Sequence, residues 1–199
     1  MGKGSSPAIT VGADLCILLA FSVFFVPALW VFSWCFAVLI HELCHYVVLR
    51  IFQIEVTSVT FSCFGATMQT GMMEMNTEIF CALAGPVGSF ILVTLYRITP
   101  AVSICAFFHL LFNLLPIYPF DGGRVVNAVI GLLFPKSSDW MIPVIENVSL
   151  VVISVVIIYF AVAASNKLFV IFCGILLILR CKSKMYLKTK LTKGTITDN

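Results

Sequence analysis

Apolar residues run along this chain in blocks of roughly membrane-spanning length, separated by short clusters of polar, Gly and Pro positions. Leu15 to Leu29 predicts a first helix, with Asp14 at its start and Pro27 breaking or kinking its far end. Trp30 and Trp34 then fall where an interfacial aromatic belt would lie. A second helix is expected over Phe32 to Phe52. A third follows over Glu78 to Tyr96, closed by Arg97 and Pro100, and a fourth over Ala101 to Leu115. Val125 to Phe134 reads as a short interfacial helix. Ile142 to Val162 and Leu168 to Leu179 supply two more apolar segments, the last short for a span. Between the second and third helices the pattern changes: Ile54, Val56, Thr57, Val59, Thr60 and Phe61 are strand formers, and Cys63-Phe64-Gly65 offers a turn. This stretch predicts a β-hairpin, too short and polar to span, lying against the helices.

Composition sharpens the class. The 199 residues are 61% hydrophobic and only 11% charged, with a mean hydropathy of +1.10. The expected fold is an all-α polytopic membrane protein of about six transmembrane helices with a short membrane-associated β-hairpin. A single integral-membrane domain over residues 1–199 is expected, with its core at about 32–125 and a basic tail at 180–199. The formal net charge is +3, and Arg180, Lys182, Lys184, Lys188, Lys190 and Lys193 crowd the tail. Such a tail reads as cytoplasmic by the positive-inside bias, not as a nucleic-acid arm. With six spans both termini face the cytoplasm, and Arg50, the hairpin, Asp121, Arg124 and Lys136 join them on that side. The eight cysteines lie mostly in apolar stretches without a C-x-x-C, and read as small packing residues. No removable signal peptide is expected over Met1 to Ala13.

Chemistry enters at His41-Glu42-Leu43-Cys44-His45, an H-E-x-x-H in the second helix. Residues four apart share a helix face, so His41 and His45 can grip one metal ion while Glu42 serves as base toward a water. The flanks Phe36 to Ile40 and Tyr46 to Leu49 carry no charge. Ionisable groups in such a segment are costly enough to mark function, which weighs against a coincidental motif. The pair should sit ~10 Å in from the helix end. A catalytic zinc needs a third protein ligand and an open position, and Asp121 is the candidate; its bland alternative is a turn carboxylate in Asp121-Gly122-Gly123. Two prolines and two glycines over 116–123 should end regular helix and border a cavity.

Together, His41-Glu42-Leu43-Cys44-His45 and Asn113-Leu114-Leu115-Pro116 through Asp121-Gly122 resemble the site-2 protease family of intramembrane zinc metalloproteases, and Ala84-Gly85-Pro86 resembles a further family feature. The resemblance spans about residues 32–125. It implies a zinc ion on His41, His45 and Asp121, Glu42 as general base, and cleavage of a peptide bond in or near the transmembrane segment of a membrane-protein substrate in the lipid bilayer. It also implies release of a cytoplasmic fragment. Asn113 is either a helix amide bonded to a neighbour's backbone or, as the resemblance implies, a donor to the substrate peptide or the developing oxyanion. The family usually has Gly where Cys44 stands and a small polar residue at Ser89; neither residue is expected to touch a ligand. His109 reads as a core histidine outside the ligand set. Glu55, Glu74, Glu78 and Asp139 read as solvated charges, and Glu146 as snorkelling to the interface. The alternatives are a non-hydrolytic membrane metal-binding or transport protein, and a silent relative that binds membrane segments.

Overall fold

The computed structural model describes residues 7–62, 65–71 and 73–163. The expected apolar segment Leu168 to Leu179 and the basic tail lie outside the described residues. The described residues form α1 (Ala13–Phe25), α2 (Ala28–Ile51), α3 (Met75–Thr94), α4 (Pro100–Asn113), α5 (Asp121–Leu133) and α6 (Ser138–Ala163), with β1 (Ala8–Val11), β2 (Val56–Ser62) and β3 (Gly65–Thr70). Two compact units divide the chain, Met1–Leu114 and Leu115–Asn199. Among the described residues, three helices are long and apolar enough to cross a membrane: α2, α3 and the Ser138–Val156 part of α6. The helices α1 and α4 are apolar but shorter.

In the first unit α2, α3 and α4 pack on one another. The buried residues of α2 are Ser33, Ala37, His41, His45 and Leu49, a stripe at a strict spacing of four. On α3 the buried face is Cys81, Ala82, Ala84, Gly85, Pro86, Gly88, Ser89 and Leu92. Small residues there let the two backbones approach closely, the main source of packing between helices in lipid. Toward one end of α2, Ala37 clusters with Leu92, Cys105 and Ala106. Toward the other end, Leu49 clusters with Val56, Val59 and Cys81. The two histidines lie on α2 between these apolar clusters. Ser103 Oγ donates to the Leu92 carbonyl at 2.7 Å, tying α4 to α3.

Helix α2 stops at a left-handed residue. Gln53 has φ +57°, Gln53 N–H donates to Arg50 O at 3.1 Å and Ile54 N–H to Leu49 O at 2.9 Å. These are the two bonds of a Schellman cap, and Ile54 packs in the Leu49 cluster as its hydrophobic contact. The cap turns the chain directly into β2.

The hairpin is present but is part of a larger element. The sheet has three strands in the order β1-β2-β3. Strands β2 and β3 pair antiparallel as expected. The addition is β1, parallel to β2 with Ile9 opposite Val59. Parallel neighbours need a long crossover, and α1 with α2 supply it. Its four residues are all exposed and three of them, Ile9, Thr10 and Val11, are β-branched strand formers, but a run this short is a weak signal on its own.

In the second unit, Ile117, Phe120 and Ile153 form an apolar cluster. The sequence expectation of a helix beginning at Val125 is corrected: α5 begins at Asp121, so Gly122 and Gly123 open a helix rather than end one. A Cβ on Gly123 would run into the backbone of Ile117 and Tyr118, so glycine lets the preceding loop fold onto the first turn of α5. Likewise α6 starts at Ser138 and carries Pro143 within it. Glu146, expected to snorkel outward, is buried at 5% exposure.

The strained cap makes a measurable prediction. Gln53→Gly relieves a left-handed Cβ, so the protein in detergent should gain up to about 1 kcal/mol of stability, read as a raised thermal midpoint. An unchanged or lowered midpoint would contradict the cap assignment.

Candidate metal centre

His41 and His45 stand one turn apart on α2, at 1% and 7% exposure. Their Nε2 atoms lie 3.1 Å from each other. The opposite nitrogens are both held by α3. His45 Nδ1 is 2.7 Å from the Cys81 carbonyl oxygen. A carbonyl only accepts, so Nδ1 carries the proton and, in the neutral ring, Nε2 carries the lone pair. His41 Nδ1 is 2.9 Å from Ser89 Oγ, a hydroxyl that can accept in the same way. Orienting the far nitrogen of a ligating histidine is how proteins set tautomer and ring direction. Two nitrogens bound at about 2.0–2.1 Å to a tetrahedral zinc would stand about 3.3 Å apart, so the observed pair has the right donors at the right separation.

The space for this pair is made by glycine. A Cβ on Gly85 would collide with Nε2 of both His41 and His45. Pro86 follows it inside α3. Proline lacks the N–H that would bond the Ala82 carbonyl, one residue after the Cys81 carbonyl that receives His45. Gly85 therefore acts on the imidazoles by shape. Ser89 touches His41 directly, which corrects the expectation that it would not contact a ligand. Cys44 packs its thiol against Gly88, with its Cβ 3.1 Å from where a Gly88 Cβ would be. The missing side chain on α3 accommodates the larger residue on α2, so the cysteine fills space.

Glu42 faces the sheet. Ala66 N–H, in β3, donates to Glu42 Oε1 at 3.3 Å. Because β3 pairs with β2 on its other side, this N–H lies on the outer edge of the strand. The carboxylate of the H-E-x-x-H thus sits at that edge, a link that no residue pattern announced.

On α4, His109 and Asn113 lie four residues apart. The His109 ring packs edge-on to His41 with centroids 4.5 Å apart, and edge-on to Trp34 at 5.6 Å. Trp34 is therefore partly engaged with the core rather than serving only in an aromatic belt. Asn113 Nδ2 donates to the His109 carbonyl at 3.0 Å. Asp121, in the second unit, is buried at 6% exposure in the first turn of α5. That position meets the positive end of the helix dipole, with Arg124 Nη1 at 3.5 Å.

The first unit therefore defines a helical membrane protein with a buried, pre-aimed histidine pair and a neighbouring carboxylate. No protein-family model matches the chain, and no curated protein matches it significantly. Among solved structures it is similar to the site-2 protease from Methanocaldococcus jannaschii, at a TM-score of 0.67 and 16% identity, covering 90% of this chain and 92% of that chain. The chain has that protease's fold.

The second contacts on α3 should be measurable through the metal alone. Ser89→Ala should weaken zinc binding about 10- to 100-fold while leaving the fold intact. Gly85→Ala should abolish stoichiometric zinc in purified protein, assayed by elemental analysis. Full zinc affinity in both variants would contradict the roles given to Ser89 and Gly85.

Proposed function

We propose that this chain is an intramembrane zinc metalloprotease that cleaves a peptide bond in or near the transmembrane segment of a membrane-protein substrate. The observation that carries this is the convergence of two buried imidazole nitrogens at 3.1 Å in an H-E-x-x-H helix. His41 and His45 hold the zinc ion, and Asp121 is the third ligand. Each of the three is buried and offers one ligand atom. Two imidazoles and a carboxylate are a donor set for catalytic zinc, with a position left for water. When bound, the ion supplies Lewis-acid chemistry, making water acidic enough to lose a proton near neutral pH. Glu42 is the base that takes the proton and later returns it to the leaving amine. Its bond from Ala66 N–H steadies the carboxylate.

A substrate helix hides its carbonyls in its own hydrogen bonds and must be unwound before attack, so the extended peptide needs new backbone partners. We take the outer edge of β3 as that partner, with the substrate adding as a strand. The support is that Glu42 lies on this same edge, which brings an added strand past the base. Asn113 contributes a contact to the substrate peptide. The basic tail and the charge distribution support an orientation with both termini and the site mouth toward the cytoplasm, so that cleavage frees a fragment there.

Glu42→Gln keeps the shape of the side chain and removes its basicity. Zinc content should be unchanged while cleavage of a tagged membrane substrate in detergent or vesicles falls by about 10²- to 10⁴-fold. Cleavage at the wild-type rate rejects the protease and favours a membrane metal-binding protein, which does not need this carboxylate.

Strand addition is tested on β3. Met68 follows Ala66 by two residues, so its N–H also points to the outer edge, and a proline is tolerated on an edge strand. Met68→Pro should raise KM several-fold with zinc retained; an unchanged KM would reject the edge as the substrate's partner.

A further inference from the structure

The outer edge of β3 is not uniform along its length, because Glu42 occupies one end of it. Ala66 N–H donates to Glu42 Oε1 at 3.3 Å, and a Cβ on Gly65 would stand 3.6 Å from that same oxygen. Both contacts place the carboxylate against the Gly65–Ala66 end of the strand, where a further strand of the sheet would otherwise run. Backbone groups alternate in direction along a strand, so the N–H and C=O of Met68 and Thr70 point to the same outer side as those of Ala66. The backbone partners for an added strand therefore lie to the Thr70 side of Glu42.

The two faces of β3 also differ. Met68 is half-buried, pairs with Val59 and packs in the apolar cluster around Leu49. Thr67 and Gln69 point to the opposite face and are exposed. Thr67 pairs there with Thr60, whose Oγ1 is 2.9 Å from Thr10 Oγ1 in β1. Side chains of an added strand alternate between the same two faces.

We infer that the substrate pairs with β3 on one side of its cut site only, over Met68 to Thr70, with the scissile bond at the Glu42 end of that ladder. The paired flank alternates apolar residues beside Met68 with polar residues beside Thr67 and Gln69. This deepens the protease reading and rests on it. A flank of that kind belongs to the border of a transmembrane segment, since the uniformly apolar middle would lay large apolar side chains along the polar face. The ladder is short: at 3.3 Å per residue, Ala66 to Thr70 spans ~13 Å, enough to order about four substrate residues. Its contacts are made by bound substrate and transition state alike, so their loss appears in KM.

The first test needs no substrate. In full-length, zinc-loaded protein in detergent, labelled with ¹⁵N at Ala, Met and Thr, the Ala66 amide should exchange with deuterium about tenfold more slowly than those of Met68 and Thr70. Glu42→Ala should remove the difference. The second uses a synthetic transmembrane peptide with its polar flanks, cleaved by the protein at one mapped bond and N-methylated at one residue at a time on either side of it. KM should rise on the order of tenfold at alternate residues of one flank and stay unchanged on the other. The third reads the polar face through the exposed residue 69. Gln69→Lys should favour a peptide with Glu at one position of the sensitive flank over the same peptide with Lys, and Gln69→Glu should reverse that preference.

An Ala66 amide that exchanges as fast as its neighbours overturns the inference, whatever the activity. So does N-methyl sensitivity on both flanks or at consecutive residues, or a KM indifferent to the charge at residue 69. A protected Ala66 amide in zinc-loaded protein that cleaves no transmembrane peptide instead rejects the protease reading, and the substrate half of the inference with it.

Discussion

Two imidazoles converge inside an apolar helix only if something holds their other nitrogens, and helix α3 does this twice. The Cys81 carbonyl holds His45 and the Ser89 hydroxyl holds His41. With those bonds the rings cannot turn away, and both Nε2 atoms face the same point. The rest of the first unit follows from the close approach this demands. The small-residue face of α3 lets its backbone reach α2, Gly85 leaves room for the rings, and Gly88 leaves room for the Cys44 thiol. Above and below, the apolar clusters around Leu49 and Ala37 keep the pair out of water. There its polar atoms must be satisfied by protein, since lipid offers no partner.

The small sheet has a comparable role. A two-stranded hairpin is marginal by itself, and here it gains β1 on one edge and the Leu49 cluster beneath it. The other edge carries the Ala66 N–H that reaches Glu42. The outer strand of the sheet thus holds the carboxylate of the H-E-x-x-H helix. On the far side of His41, α4 brings His109 and Asn113. The histidine pair is therefore framed by elements from three separate stretches of sequence: α3, the hairpin and α4.

Much of this was legible in the residues. The helices over 28–51, 75–94 and 100–113 fall within a few positions of the expected ones, because an apolar block of given length in lipid has few other ways to satisfy its backbone. The hairpin was legible from its strand formers and the Gly65 turn. The departures have local causes. β1 is a run of only four residues, a weak signal despite the β-branched Ile9, Thr10 and Val11, and exists through pairing with β2. Helix α5 begins at Asp121 because the preceding loop packs against Gly123, a constraint that ordinary Gly propensity does not reveal. Ser89 looked like a small packing residue, and its hydroxyl acquires a task only when α3 lies against His41.

By itself, the sequence determined the apolar, mostly helical class and which helix carries the H-E-x-x-H. Those depend on composition and on the fixed periodicity of a helix, which brings His41 and His45 to one face in any context. The tertiary structure alone decided the tautomer of His45, the contact between Glu42 and β3, and the packing of His109 against His41. Hydrogen-bond partners of buried side chains come from whichever backbone packs nearby. The approach of α3 and β3 to α2 depends on the absence of side chains at Gly85 and Gly88 and on the cap at Gln53, whose consequences appear only once the elements are in contact.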